Sequence, residues 1–144
     1  HHTPYTDRAA REICRILKPG GSASVSVYYR NIFLRAWPIL RSLGWLISLL
    51  GGKLKGRGRE KIYRESNVDE IVRLYDGAEN PIGKSYSKKQ LFELLEPYFT
   101  VEETYLHFFP ARSLPFKIPK FVHRFLDKRC GFMIYTTLRK KCAA

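Results

Sequence analysis

Two adjacent histidines, His1 and His2, are the first residues of this sequence that can carry out chemistry. A neutral imidazole within hydrogen-bond reach can accept a proton from a hydroxyl or an amine. Two other interpretations are open, namely a histidine that packs or caps a loop, and the remnant of a purification tag. The residue types therefore indicate a candidate base whose role depends on where the fold places it.

A second group of candidates consists of Tyr28, Tyr29 and Arg30. These residues end an alternating run from Ser22 to Tyr29, whose period of two predicts a strand. An aromatic face at the end of a strand can hold a substrate. Rim packing without a function is the alternative interpretation, and the sequence favours neither.

Three cysteines, Cys14, Cys130 and Cys142, lie far apart in the chain. They form no C-x-x-C motif, and no histidine lies at a zinc-ligand spacing from them. We predict reduced thiols, no metal site and a cytoplasmic, reducing setting. The sequence shows no pattern of an export signal.

The basic residues are concentrated in two blocks of a chain whose formal net charge is +13. Residues 30–64 and residues 112–141 each hold nine basic residues and one acid, whereas residues 65–103 hold four basic residues and nine acids. Such blocks attract the phosphates of nucleic acid or of anionic lipid, although solvated surface charge is the commoner explanation.

The elements that must position these candidates begin with a helix whose first turn contains Pro4 or Asp7 and which Gly20-Gly21 ends. The strand Ser22 to Tyr29 follows directly. A helix, a Gly-Gly turn and an apolar strand in this order indicate half of a crossover unit in an α/β sheet. A chain of 144 residues is long enough for one domain with its own core.

The segment from Asn31 to Leu50 is predicted to form one amphipathic helix, followed by a basic loop at 51–59. Two arginines and Pro38 argue against a helix that spans a bilayer. One interpretation is a basic element at a membrane surface, with Trp37 and Trp45 at the interface. The other is a lid helix over the core or a substrate pocket.

Capping boxes and β-rich runs predict the remaining elements. Asn67 with Glu70, and Ser87 with Gln90, resemble capping boxes that begin two helices. The other predicted elements are strands at Phe99 to Phe109 and Phe132 to Leu138, and a short helix near Phe121 to Asp127.

The beginning of the chain resembles a known protein family. The stretch His1 to Tyr29, HHTPYTDRAAREICRILKPGGSASVSVYY, resembles the segment after the fourth strand of class I S-adenosylmethionine-dependent methyltransferases of the type 11-like group. There a His-rich loop precedes a helix of the form R-E-x-x-R-x-L-K-P-G-G and then the fifth strand. The matching positions are Glu12, Arg15, Leu17, Lys18, Pro19, Gly20 and Gly21.

The resemblance covers most of the chain outside residues 30–75, which would form a helical lid insertion. Lys88 to Glu96, Phe99 to Phe109 and Gly131 to Lys141 resemble the last helix, the sixth strand and the antiparallel seventh strand. The implied fold is α/β, the C-terminal half of a Rossmann-like class I methyltransferase fold, with 1–144 as a partial domain. In this family the seventh strand lies between the fifth and the sixth, which leaves an exposed edge on the fifth.

The chain departs from the family in its glycines. The family's Gly-rich cofactor loop and the acidic residue for the ribose lie upstream of the His loop and have no counterpart here. Gly20-Gly21 follows a helix and leads into a strand, the reverse of a nucleotide-binding turn, and Gly56 and Gly58 form a lone G-x-G. The resemblance therefore implies a chain truncated near the fourth strand, which we expect to be inactive alone.

The function that the resemblance implies is methyl transfer from S-adenosylmethionine to an O, N or C nucleophile of a small-molecule or lipid acceptor. It implies His2 as the base and His1 as a cofactor contact. The implied substrate-binding residues are Tyr5, Tyr28, Tyr29 and Arg30. A peripheral membrane contact through 31–64 is left open, and the acceptor itself is not predicted.

The alternative is a non-enzymatic basic module that binds nucleic acid or an anionic membrane surface. The net charge and the aromatic content support it, but the sequence has no recognisable groove-reading helix, RNP-type strand or zinc knuckle. A phosphate binder would lose affinity steeply as the salt concentration rises. Of these partners, nucleic acid is disfavoured.

Overall fold

A four-stranded mixed sheet with helices packed against it gives the chain an α/β architecture. The computed structural model describes residues 2–49, 51, 59–77, 79–111, 114 and 116–141. His1, Cys142 and most of the predicted basic loop lie outside the described residues.

The sheet has the strand order β2-β1-β4-β3, in which β4 runs antiparallel to both neighbours. The strands are β1 (Ser22–Tyr29), β2 (Ser85–Tyr86), β3 (Phe99–His107) and β4 (Met133–Lys140). The predicted placement of the last strand between the other two long strands is confirmed. The short strand β2 was not predicted, and it pairs in parallel only with Tyr28 and Tyr29.

One face of the sheet packs against two helices, α1 (Thr6–Ile16) and α5 (Lys88–Leu95). Alternate residues of β1 and β4, among them Val27, Ile134 and Leu138, are buried there because successive strand side chains point to opposite faces. The predicted pattern of a strand covered by amphipathic helices is confirmed on this face.

The predicted start of the helix α5 is confirmed, and the helix ends one residue before the predicted Glu96. The Ser87 hydroxyl accepts a hydrogen bond from the backbone N–H of Gln90, and the Gln90 side chain accepts one from the backbone N–H of Ser87. The helix α4 (Val68–Asp76) has only half of its predicted box, because Glu70 binds Arg73 instead of its own N-cap residue, Asn67.

The prediction of a single helix over Asn31 to Leu50 is wrong. Two helices occupy the segment, α2 (Ile32–Arg35) and α3 (Trp37–Leu49). Pro38 explains the break, because proline has no backbone N–H to donate to the carbonyl oxygen of Leu34, whereas the first turn of α3 needs no such donor. The side chain of Asn31 begins α2 by accepting a hydrogen bond from the Leu34 N–H at 3.1 Å.

Among the described residues, helices cover one end of the second face of the sheet. There α3, α4 and a 3-10 helix (Arg59–Arg64) enclose a core that includes Tyr28, Ile62, Val72 and Phe132. Further along the same face, Ser24 and Arg139 are exposed. No strand in the described part of the chain pairs with Ser22 to Val27 on the outer side of β1.

The last helix, α6 (Lys120–Cys130), is longer than predicted and connects β3 to β4. The strand β3 ends two residues before the predicted limit, because Phe108 has a φ of 64°, which is incompatible with extended backbone. Cys14 and Cys130 are free thiols. Among the described residues, no helix combines the length and the apolar character needed to cross a membrane.

Candidate functional site

A cavity of about 660 Å³ lies on the second face of the sheet, at the carboxyl end of β1. The strands β1 and β4 form its floor, and α4, α6 and the segment after β3 form its walls. Six of its lining residues are aromatic: Tyr28, Tyr75, Phe108, Phe109, Phe132 and Tyr135. Two carboxylates and two imidazoles are placed among these rings, a composition typical of small-molecule sites.

The aromatic rings of the cavity pack against one another. The ring of Phe132 lies 5.3 Å from that of Tyr28 and 4.8 Å from that of Tyr75, measured between centroids. Tyr135 stacks on Tyr105 at 5.2 Å, and burial together with this neighbour raises the pKa of the Tyr135 phenol. These contacts preform an apolar floor that suits a ligand with an apolar or aromatic body.

Tyr28 is the buried polar group of this floor. Its side chain is 2% exposed, and burial raises the pKa of its phenol well above the ordinary value, with further contributions from a hydrogen bond to Asp76 and from the charge of Asp76. The phenol therefore stays protonated near neutral pH and acts as a hydrogen-bond donor.

His2 lies beside this pair, at the carboxyl end of β1. Its Nδ1 lies 3.2 Å from the carbonyl oxygen of Ile82, while its Nε2 lies 3.4 Å from an Asp76 carboxylate oxygen and 3.5 Å from the Tyr28 hydroxyl. Both ring nitrogens thus have protein partners. His2 is not among the described residues that line the cavity.

Of the four residues expected to bind the acceptor, Tyr28 alone lines the cavity. Tyr29 points to the opposite face of the sheet and packs on the core beneath α1 and α5. Tyr5 is exposed, with the guanidinium of Arg8 4.5 Å from its ring centroid. These positions separate Tyr5 and Tyr29 from the cavity.

Arg30 joins the end of β1 to two other elements. Its Nε donates to the Ser85 hydroxyl at 3.2 Å, and its terminal nitrogen lies 3.4 Å from Asp69. Asp69 also accepts hydrogen bonds from the Ser85 N–H and hydroxyl, each at 2.8 Å. Arg30 therefore holds β2 against α4, close to the cavity but outside its lining.

The most distinctive polar contact of the cavity joins His107, the last residue of β3, to Asp127 of α6. His107 Nδ1 is hydrogen-bonded to one carboxylate oxygen of Asp127, and the other oxygen accepts the Phe109 N–H at 2.7 Å. The Asp127 side chain is only 12% exposed, whereas that of His107 is 53% exposed. A carboxylate held in this way orients an imidazole with its proton on Nδ1 and leaves Nε2 as the basic nitrogen.

The backbone around this dyad is unusual. Phe108 lies between the two residues bound by Asp127. Among the described non-glycine residues, it is the one with a positive φ, 64°. Such a conformation is uncommon for a bulky residue and concentrates at functional sites. Gly131 packs against the same turn, because a Cβ built there would lie 2.6 Å from the backbone nitrogen and oxygen of His107.

A second imidazole, His123, enters the cavity from the preceding turn of α6. Its ring lies 6.2 Å from that of Phe109 in an edge-on arrangement. The site therefore contains two imidazoles and the Asp127 carboxylate on the α6 side, and Asp76 with Tyr28 on the α4 side.

Sequence reasoning missed His107, His123 and Asp127. His107 and Asp127 are 20 residues apart in the chain and meet only because α6 folds back onto the end of β3. One signal was present, because Asp127 is the single acid among the nine basic residues of the block 112–141. A lone acid on the inner face of a basic helix is a candidate for a buried partner.

Comparisons of the chain with protein-family models, with curated proteins and with solved structures found no match. Within the part of the chain that the structure describes, no group of three or more His, Cys, Asp or Glu residues has the arrangement of a metal site. The geometry of the cavity is therefore the main guide to its chemistry.

The described residues do not form a cradle for S-adenosylmethionine. In the described ranges, no glycine-rich turn leads from a parallel strand into a helix, and Gly20-Gly21 lies between α1 and β1 in the opposite order. His1, implied as a cofactor contact, lies outside the described residues. The cavity is lined instead by aromatic rings and by the His107–Asp127 pair.

Proposed function

We propose that this chain forms the acceptor-binding part of a class I S-adenosylmethionine-dependent methyltransferase with a Rossmann-like sheet. The observation that carries the proposal is the position of β4, an antiparallel strand inserted between β1 and β3. The family resemblance of the first 29 residues implies this strand order, which neither composition nor periodicity indicates.

Two further features of the sheet support the proposal. Both α1 and α5 cover the same face, as consecutive right-handed crossovers on one side of a sheet would place them. The outer edge of β1 has no described partner along Ser22 to Val27, so it can accept a neighbouring parallel strand. In the proposed fold this neighbour is the fourth strand, and the loops that hold the cofactor belong to the part of the sheet beyond it.

The lining of the cavity supports one kind of acceptor. Its floor of Tyr28, Phe132 and Tyr135 suits an apolar or aromatic body, and His107 and Asp76 place polar groups at its walls. We infer an acceptor that combines an apolar scaffold with a hydroxyl or an amine, as a small aromatic molecule or a whole lipid does.

The His107–Asp127 dyad would accept the proton of the acceptor. S-Adenosylmethionine, when bound, supplies the methyl group as an electrophile. As a lone pair of the acceptor oxygen or nitrogen formed the new bond to carbon, the C–S bond of the sulfonium would break with its electron pair going to sulfur, which leaves S-adenosylhomocysteine. The proton of the acceptor would move to His107 Nε2. The Asp127 carboxylate stabilises the resulting imidazolium through Nδ1–H.

His107 is a better candidate for this role than His2. Both ring nitrogens of His2 face protein groups, Ile82 on one side and Asp76 with Tyr28 on the other. His107 instead uses one nitrogen for Asp127 and lies in the cavity wall. His2 and Asp76 would then hold the neutral Tyr28 hydroxyl in place, with its one proton directed to Asp76.

The test is binding of S-adenosylmethionine, measured by calorimetry on the chain together with any coding sequence upstream of His1. We expect binding, and we expect the His107→Gln variant to retain it, because His107 is assigned to the acceptor. No binding by the extended protein would overturn the proposal.

A further inference from the structure

The solvent-facing side of α6 is aromatic. Phe121 is 76% exposed and Phe125 is 61% exposed, and their spacing of four residues places the two rings on one stripe of the helix. Phe116, just before the helix, is 62% exposed. Exposed phenylalanine side chains grouped in this way mark an interaction surface more often than isolated apolar residues do.

Cations border this stripe on both sides. The exposed residues Lys120, Arg124 and Lys128 lie on one side and Arg129 on the other, given about 3.6 residues per turn. The guanidinium of Arg129 lies 5.6 Å from the Phe125 ring centroid. We refer to these four cations with Phe121 and Phe125 as the α6 basic–aromatic face.

The single acid of α6 is turned away from this face. Asp127 is buried and uses both carboxylate oxygens on the cavity side, for His107 and for the Phe109 N–H. The face therefore carries positive charge with no carboxylate of its own helix to neutralise it, and a negatively charged partner is complementary to it.

We infer that the α6 basic–aromatic face docks onto an anionic membrane surface. Helices at membrane interfaces present aromatic side chains to the acyl boundary and Lys or Arg to the headgroups, which is the arrangement seen here. Single-stranded nucleic acid fits less well, because it is bound in grooves that follow its backbone and α6 is a convex helix. This surface is separate from the membrane contact predicted for 31–64, and it does not depend on the proposed function.

The inner side of α6 faces the cavity. His123 and Asp127 line the cavity, so the helix that meets the membrane also forms a wall of the candidate site. Docking through α6 would hold the cavity close to the lipid surface.

Sedimentation with vesicles tests the inference. The protein is mixed with vesicles of phosphatidylcholine alone or with added phosphatidylserine, and the bound fraction is compared for wild type and for the triple variant Lys120→Gln, Arg124→Gln, Lys128→Gln. Each cation near an anionic surface changes affinity by about fivefold, so the triple variant should bind up to about a hundredfold more weakly. The matched control removes three exposed charges from α1 and the turn that follows it, namely Arg8→Gln, Arg11→Gln and Lys18→Gln, and should retain most of the binding.

A second pair of variants tests the aromatic part of the surface. Phe121→Ser should weaken vesicle binding, whereas Ile16→Ser, at a 69% exposed position of α1, should not. The inference is overturned by an equal loss in both triple variants, by an absence of binding to anionic vesicles, or by an unchanged bound fraction in Phe121→Ser. It is also overturned if single-stranded RNA displaces the vesicles and its own binding requires the same α6 residues.

Discussion

Asp127 is the residue on which the candidate site depends most. Its two oxygens join the end of β3 to α6 and hold His107 and the Phe109 N–H on either side of the strained Phe108. A buried carboxylate with two donors is strongly preferred over its neutral amide, because hydrogen bonds to a charged group contribute more to stability than neutral ones.

Replacing Asp127 by Asn should lower the free energy of unfolding by about 1–3 kcal/mol, because one acceptor oxygen becomes a donor amide facing a buried N–H or an imidazole N–H. Urea unfolding measures this change. Glu93→Gln is a suitable control, because it alters an exposed pair with Lys89 whose contribution to stability is small. Equal stability of Asp127→Asn and wild type would contradict the described geometry.

The pKa of Tyr28 predicts an alkaline loss of stability. Burial keeps the phenol protonated in the folded protein above its ordinary pKa of 10.0, whereas the unfolded chain ionises there. Stability is thus complete below pH 10.0 and falls as the pH rises beyond it, by up to about 1.4 kcal/mol per pH unit for one group.

Tyr63 and Tyr135 contribute in the same direction, since burial also raises the pKa of each. In the variant Tyr28→Phe, the free energy of unfolding should therefore fall less steeply as the pH rises above 10.0, but it should still fall. Urea unfolding at several pH values measures this slope. If the free energy of unfolding of Tyr28→Phe fell with alkaline pH as steeply as that of wild type, the phenol of Tyr28 would not be buried as described.

At the scale of the elements, the sequence predicted the features that depend on interactions between residues close together in the chain. The capping box of Ser87 and Gln90 is confirmed because its two hydrogen bonds lie within four residues. The break between α2 and α3 also has a local cause, because Pro38 lacks the backbone N–H that would continue a single helix. The 3-10 helix and β2 could not be predicted, because packing against α4 and two backbone pairings with β1 define them.

The junction of α6 and β4 depends on Gly131. A methyl group there would lie 2.6 Å from backbone atoms of His107 and 2.7 Å from the Asp127 carbonyl oxygen, and backbone atoms have no room to move aside. Gly131→Ala should therefore destabilise the protein by about 1–3 kcal/mol and displace the dyad.

Thermal or urea unfolding measures the effect of Gly131→Ala. The control is Gly77→Ala, where the added Cβ meets only the Asn80 side chain, at 3.5 Å. If the two alanine variants were equally stable, the close approach of α6 to the end of β3 would be wrong.

At the scale of the whole molecule, the strand order was predictable only through the family resemblance. Alternation in Ser22 to Tyr29 predicts a strand but not its neighbours, because pairing partners are distant in sequence. The cavity was harder still, since its walls come from β1, α4, the end of β3 and α6. Composition predicted its aromatic character in general and none of its geometry.

The fold also separates the charges of the basic block 112–141. The basic block 112–141 is divided by the fold, with the cations of α6 facing solvent and its one acid facing the cavity. The positive charge of this block therefore lies on the solvent-facing side of α6. The opposite side of the helix contributes Asp127 to the polar groups of the cavity.

The most direct test of the proposed chemistry is transfer of a labelled methyl group from S-adenosylmethionine to small-molecule and lipid extracts. The protein used is the chain together with any coding sequence upstream of His1. We expect wild type to label an acceptor, Lys89→Gln on α5 to behave like wild type, and His107→Gln to react about 10²–10⁴-fold more slowly, because it lacks the proton acceptor. The absence of transfer by wild type, or an unchanged rate in His107→Gln, would contradict the assignment of the cavity as the acceptor site.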